Sequence, residues 1–173
     1  MAYIKRFQEI FKKEEDKEDS VAFFGSKTKT EKFSEKQITL TKSQELPGVL
    51  LHSTENAARR DGPYVTKVRI KLKNIIHAEG NYKIKRDDAL FMINNAPEKS
   101  NNRSEEFSNI DHVLASKSAL DGYQRIYKNF YEGHEADFVR NVSKLGYDAL
   151  VVEKDGKKKY VVFNVHIIGL LKN

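Results

Sequence analysis

Hydrophobic positions along the chain fall into two periods. The clearest is period two between Tyr64 and Leu72, where Val68, Ile70 and Leu72 alternate with Lys67, Arg69 and Lys71. That alternation predicts a half-buried strand with aliphatic side chains on one face and cations on the other. Near the C-terminus, Ala149 to Val152 and Tyr160 to Phe163 are continuously apolar and are separated by a polar stretch containing Asp155-Gly156. Continuous apolar runs suit strands covered on both faces, and Asp-Gly is a favoured hairpin turn. A hairpin is therefore expected here, with its second arm running from Val161 to Ile168, at the centre of the core.

The remaining elements follow in order. Ile4, Phe7, Ile10 and Phe11 share one side of a helix over residues 3–18, which runs into the mixed charges of Lys12 to Asp19. Val21 to Ser26 reads as a strand. Leu46-Pro47-Gly48 breaks the chain before a second strand, Val49 to His52, and Ser53 or Thr54 caps a short helix that Asp61-Gly62-Pro63 ends. Arg86 to Ile93 reads as a helix and Asn94 to Ser108 as a polar loop. Ile110 to Leu145 is mainly helical with breaks near Gly122 and Gly133, and Phe138, Val142 and Leu145 mark the apolar stripe of its last piece. Gly146 supplies the stop. Strands early and late, with helices between, give an α+β class.

At 173 residues and 39% hydrophobic content, the chain can bury one substantial core. We divide it into an amphipathic, charged segment at 1–19 and a single domain at 20–173. Lys and Arg number 31 against 25 Asp and Glu, a surplus of +6 that favours acidic partners without specifying nucleic acid. The stripe of Lys67, Arg69 and Lys71 has two readings, an exposed strand face or a phosphate-contacting surface. With no cysteine there is no disulfide and no thiol nucleophile. No apolar run has the length of a membrane span, so no membrane partner and a cytoplasmic location are expected.

Sequence motifs for nucleotide-binding loops, zinc-binding helices and nucleophile elbows are missing. The five histidines are scattered without metal-ligand spacing, so no metal is assigned. His52 draws interest because it ends an apolar strand directly before two hydroxyls, where a ligand can meet a strand end. Its plainer reading is a ring satisfied by neighbouring groups.

Four stretches, in order, resemble ADP-ribosyltransferase-like domains. Phe23-Phe24-Gly25-Ser26 is similar to their aromatic-His-Gly-Thr/Ser strand, and Leu51-His52-Ser53-Thr54-Glu55-Asn56-Ala57-Ala58 to their strand and Ser-Thr segment before a helix. Tyr64 to Asn74 resembles the strand that follows. Leu145 to Val152 with Tyr160 to Asn164 resembles the closing hairpin of bacterial and phage-borne members. The likeness spans roughly residues 20–170.

The resemblance implies a split β-sandwich, two small sheets with an NAD cleft between them and flanking helices. It implies mono-ADP-ribosyl transfer from NAD to a macromolecule, with protein as the expected target, in a bacterial or host cytoplasm. Phe24, Gly25, Ser26, His52, Ser53, Thr54 and Tyr64 would hold the dinucleotide: Gly25 by close backbone approach, the hydroxyls by hydrogen bonds, Phe24 or Tyr64 as a wall for the ring. Two positions depart from the family. Phe24 stands where its histidine is usual, and Lys158 and Lys159 stand where its catalytic glutamate often lies. The nearest acids for an oxocarbenium-like centre are Glu153, the first choice, and Asp155 in the turn; a two-residue turn also sets Glu153 opposite Lys158 as an ordinary cross-strand pair. A domain of this fold that acts by binding, and a basic nucleic-acid module using Lys67, Arg69, Lys71, Lys83, Lys85 and Arg86, are the alternatives.

Overall fold

The computed structural model describes residues 18–42, 44–79, 82–97 and 106–171. The helix expected over residues 3–18 lies outside them, apart from Glu18. Seven strands and five α-helices are described: β1 (Glu18–Ser26), β2 (Val49–His52), α1 (Glu55–Ala58), β3 (Tyr64–Leu72), β4 (Ile75–His77), α2 (Arg86–Asn94), α3 (Glu106–Leu114), α4 (Ala119–Ile126), α5 (Glu135–Lys144), β5 (Ala149–Lys154), β6 (Lys157–Val162) and β7 (Ile168–Leu170). Among the described residues no helix is long and apolar enough to cross a membrane.

All seven strands join one mixed sheet in the order β4-β5-β6-β2-β1-β3-β7, with β4 parallel to β5 and the other pairs antiparallel. The class is α+β, as expected, but the strands form a single hydrogen-bonded sheet rather than two small ones. The connection between β3 and β4 shows that this sheet is not flat. Only Lys73 and Asn74 separate them, so Leu72 and Ile75 lie no more than about 11 Å apart. In a flat sheet the five intervening spacings would hold them about 24 Å apart. The sheet must therefore curl until β3 approaches β4.

Asp148 holds the curl closed. Its Oδ2 accepts from the Lys73 amide at 2.8 Å and the Asn74 amide at 3.2 Å, while its carbonyl accepts from Phe163 N at 2.8 Å. Asn74 returns a bond from Nδ2 to the Gly146 carbonyl at 3.0 Å.

Curling gives the sheet two unlike faces. The inner face gathers Ala22, Val49, Leu51, Val68, Ile70, Leu72, Tyr160 and Val162 around Phe33, which meets Phe24 edge-on at 5.1 Å between ring centroids. The outer face carries Leu50, Leu150 and Val161, which pack beneath the helices through Met92, Tyr123, Ile126, Phe138 and Val142. β5 and β6 supply both cores, which is why their sequences are apolar without alternation. Each such fully buried aliphatic side chain contributes about 1.5–3 kcal/mol relative to exposure.

Several elements differ from their sequence reading. The hairpin turns at Asp155 (φ 53°) and Gly156 (φ 69°), as a two-residue turn requires, but its second arm ends at Val162. A 3-10 turn, Val165–Ile167, then carries the chain to β7, which pairs with β3 at the far edge of the sheet. β4 has only three residues, too few to show a period in the sequence. Gly122 lies inside α4 instead of breaking it, because a Cβ there would meet Ile84 Cγ2 at 2.7 Å. The break comes at Ser118, whose hydroxyl accepts from Asp121 N. Gly133 (φ 82°) and Gly146 (φ 88°) do end their segments. α3 begins at Glu106, inside the stretch read as a polar loop.

Candidate functional site

β2 ends at His52, and its outer-face neighbours fix the site. Register sets His52 opposite Lys159 on β6 and Phe23 on β1. Leu51 and Tyr160 point into the inner core, so His52 and Lys159 project outward. The short α1 follows at once, capped by Thr54, whose hydroxyl accepts from Ala57 N at 3.4 Å. It lies across β1 so closely that a Cβ on Gly25 would come within 1.8 Å of the Ala58 carbonyl oxygen.

Between α1 and the main helical layer lies a cleft of about 660 Å³. Lys42, Lys154, Lys157, Lys158, Lys159 and His52 line it, with Ser53, Thr54 and Ala57 at one lip and Gln44, Glu45 and Gln124 at the other. Lys158 turns its side chain to the inner face with Tyr160, so four lysine ammonium groups against one carboxylate leave the cleft at +3, His52 left out of the count. That volume falls within the range of small-molecule and cofactor pockets.

Few of the polar groups are idle. The Lys159 ammonium sits 2.7 Å from Glu45 Oε1, and Gln124 Nε2 donates to the Glu45 carbonyl at 3.2 Å, anchoring Glu45 to α4. Gln44 is buried, its Nε2 donating to the Thr39 and Gly48 carbonyls at 3.0 and 3.2 Å. His52 Nε2 lies 2.6 Å from Asp61 Oδ2, so the ring is oriented by the turn that ends α1. Ser53 extends the β2-β6 pairing: its amide donates to the Lys158 carbonyl at 2.9 Å and its hydroxyl accepts from Lys158 N at 3.0 Å.

The residues expected to hold a dinucleotide are divided by this geometry. His52, Ser53 and Thr54 line the cleft together. Phe24 packs into the inner core against Phe33, on the other face of the sheet, and is not a wall of the cleft. Gly25 serves the approach of α1, not of a ligand, since the Ala58 carbonyl fills the space beside it. Ser26 donates its hydroxyl to the Thr28 carbonyl at the end of β1, opposite Tyr64, which is exposed. Glu153 stands opposite Lys158, as the turn requires, and it borders a separate hollow of about 130 Å³ with His77 and Glu79. It shares a strand face with Val151 of the inner core, so the sheet separates it from His52.

Lys154, Lys157, Glu45 and Gln124 were not singled out from sequence. The run Lys157-Lys158-Lys159 is visible there, and its alternation on β6 is the signal that two of the three face outward. Among the described residues no group of three or more His, Asp or Glu could hold a metal ion.

No protein-family model matches this chain, and no curated protein does. Among solved structures, a crystal structure of an anti-CRISPR protein is similar over 88% of this chain and 96% of that one, at 13% identity and a TM-score of 0.46.

Proposed function

We propose that the protein acts by binding, and that its lysine-lined cleft seats a phosphate-bearing ligand. One observation carries this reading. Four lysines, Lys42, Lys154, Lys157 and Lys159, stand against a single carboxylate, and that carboxylate already faces Lys159 at 2.7 Å. Clustered ammonium groups in a walled cleft repel one another until an anion enters, and low-dielectric walls focus the field on that anion. His52, Ser53 and Gln124 add hydrogen-bonding capacity at the lips.

Titration calorimetry with pyrophosphate, ADP and NAD tests the reading, using the wild type and Lys157→Glu/Lys159→Glu. Binding of the diphosphate compounds that the double variant loses supports it. Equal heats from both proteins, or none from either at millimolar ligand, overturn it.

A transferase reading uses the same cleft. What favours it is that His52, Ser53 and Thr54 border a space of dinucleotide size. The carboxylates are its difficulty: Glu153 opens to the other face, and Lys157 and Lys159 bring positive charge where an oxocarbenium-like centre would need negative. Labelled NAD incubated with a cell lysate decides the matter. Label on protein that disappears with Glu153→Ala, or with Glu45→Gln, would establish transfer and identify its acid; no label would leave binding alone.

A further inference from the structure

The cleft does not end at His52. Register places Lys159, His52, Phe23 and Lys67 side by side on β6, β2, β1 and β3, so one row of outward side chains crosses four strands. At Lys67 the row meets Arg69 and Lys71, which share its face because Val68, Ile70 and Leu72 all turn into the inner core. Lys67, Arg69 and Lys71 are exposed. Asp19 faces Arg69 at 3.6 Å, but both side chains are more than half exposed, and such a pair gives way readily to a better anion.

Phe23 sits in the middle of this row and belongs to neither hydrophobic cluster. Its half-buried ring lies between His52 and Lys67, on a face that carries Lys67, Arg69 and Lys71 on β3, with the Asp61 carboxylate at His52 and Asp19 at Arg69 as its acids. Val21, beside Arg69 in register, is exposed on the same face.

Resting on the anion-binding reading above, we infer that the cleft and this outer row form one continuous track for a single-stranded nucleic acid, with Phe23 as a base-stacking platform. The length fits a polymer. Three strand spacings from Lys159 to Lys67 cover about 14 Å, and Lys67 to Lys71 adds about 13 Å along β3. That path of about 27 Å accommodates at most about eight nucleotides at the 3.4 Å rise of a stacked strand. Curvature selects the single strand: the row follows the outside of a curled sheet into a cleft, whereas a duplex with a persistence length of about 50 nm does not bend over such a distance without large cost. Alternation of cations with an aromatic face is the arrangement that binds single strands with little sequence preference.

The test is fluorescence anisotropy of the full chain with labelled oligonucleotides of increasing length, single-stranded and duplex, alongside ADP binding to the cleft. Affinity should rise with length and then level off, single strands should bind more tightly than duplexes, and about five phosphate contacts should cost ~100-fold between about 50 and 200 mM salt. Lys67→Ala/Lys71→Ala should weaken the longer oligonucleotides at least tenfold and leave ADP unchanged. Phe23→Leu, which keeps apolar bulk but removes the stacking face, should weaken oligonucleotides about tenfold. ADP binding with no gain from length, or oligonucleotide binding that both variants retain, overturns the track and leaves the cleft; loss of ADP binding itself overturns the cleft. Equal affinity for duplexes also overturns the single-strand assignment.

Discussion

The Lys159 ammonium lies 2.7 Å from Glu45 Oε1 in a cleft that otherwise carries only cations among its charged side chains. Both side chains are about one-quarter exposed, so the pair is only partly screened by solvent. Glu45 therefore moderates the repulsion among the lysines while it competes with any anionic ligand for Lys159. Glu45→Gln keeps the Gln124 bond, which goes to the main chain, and raises the lining by one positive charge. We predict anion binding several-fold tighter, with stability reduced by about 1 kcal/mol. Calorimetric titration and urea unfolding of the same variant check the two halves, and unchanged anion affinity would show that Lys159 takes no part.

Gly25 is the tightest point between sheet and helix. A Cβ there would come within 1.8 Å of the Ala58 carbonyl oxygen, and the neighbour is backbone, which cannot rotate away. Gly25→Ala should cost at least about 3 kcal/mol or detach α1 from β1. Gly169 on β7 is the control, since its nearest neighbour would be 3.7 Å away. Gly169→Ala should stay within about 0.5 kcal/mol of the wild type. Urea denaturation of the two variants decides it, and equal midpoints would mean that α1 is not held as described.

The strands and hairpin were legible because their signals are local. Tyr64 to Leu72 alternates, Asp155-Gly156 turns, and Val49 to His52 sits between a Pro-Gly break and a capped helix. The curl was not legible, because it depends on β4, three residues long, pairing with β5 rather than with its sequence neighbour β3. For the site, His52, Ser53 and Thr54 could be chosen from their place at a strand end. Glu45 and Gln124 could not, since 79 positions separate them and only the docking of a loop on α4 brings them together. Glu153 illustrates the limit of strand parity: the sequence places it two residues from Val151, but which face is the cleft is decided by where the helices settle.

Asp148 is placed to report on closure of the sheet. Its carboxylate accepts from two successive amides, Lys73 and Asn74, that no strand pairing satisfies. Asp148→Ala leaves both donors without that acceptor, and a charged acceptor of this kind is worth about 1.5–3 kcal/mol. Stability should fall by about that amount, with hydrogen exchange accelerating at Ile75 to His77 before it does at β1. Uniform exchange across the sheet would show that β4 opens only with the whole domain.

Four tyrosines make the fold sensitive to alkali. Burial, followed by donation to the Glu135 carboxylate at 2.7 Å, pushes Tyr127 up to about 12. Burial also pushes Tyr131 up to about 12, against the opposing effect of the Asn141 amide that donates to its oxygen at 2.9 Å. Burial raises Tyr123 and Tyr147 as well, and the Asp88 carboxylate, 2.9 Å from the Tyr147 hydroxyl, adds to both. The sign follows from linkage. An unfolded tyrosine ionises near 10, so above that value the unfolded chain loses protons that the folded chain retains, and stability falls with rising pH. The contribution is fully present below pH 10 and is lost through about pH 12. Tyrosinate absorbance and circular dichroism, followed together through that window, should show these four groups ionising only as the fold is lost. Ionisation of all eight tyrosines near their ordinary value with the fold intact would mean that the helical core is open to water.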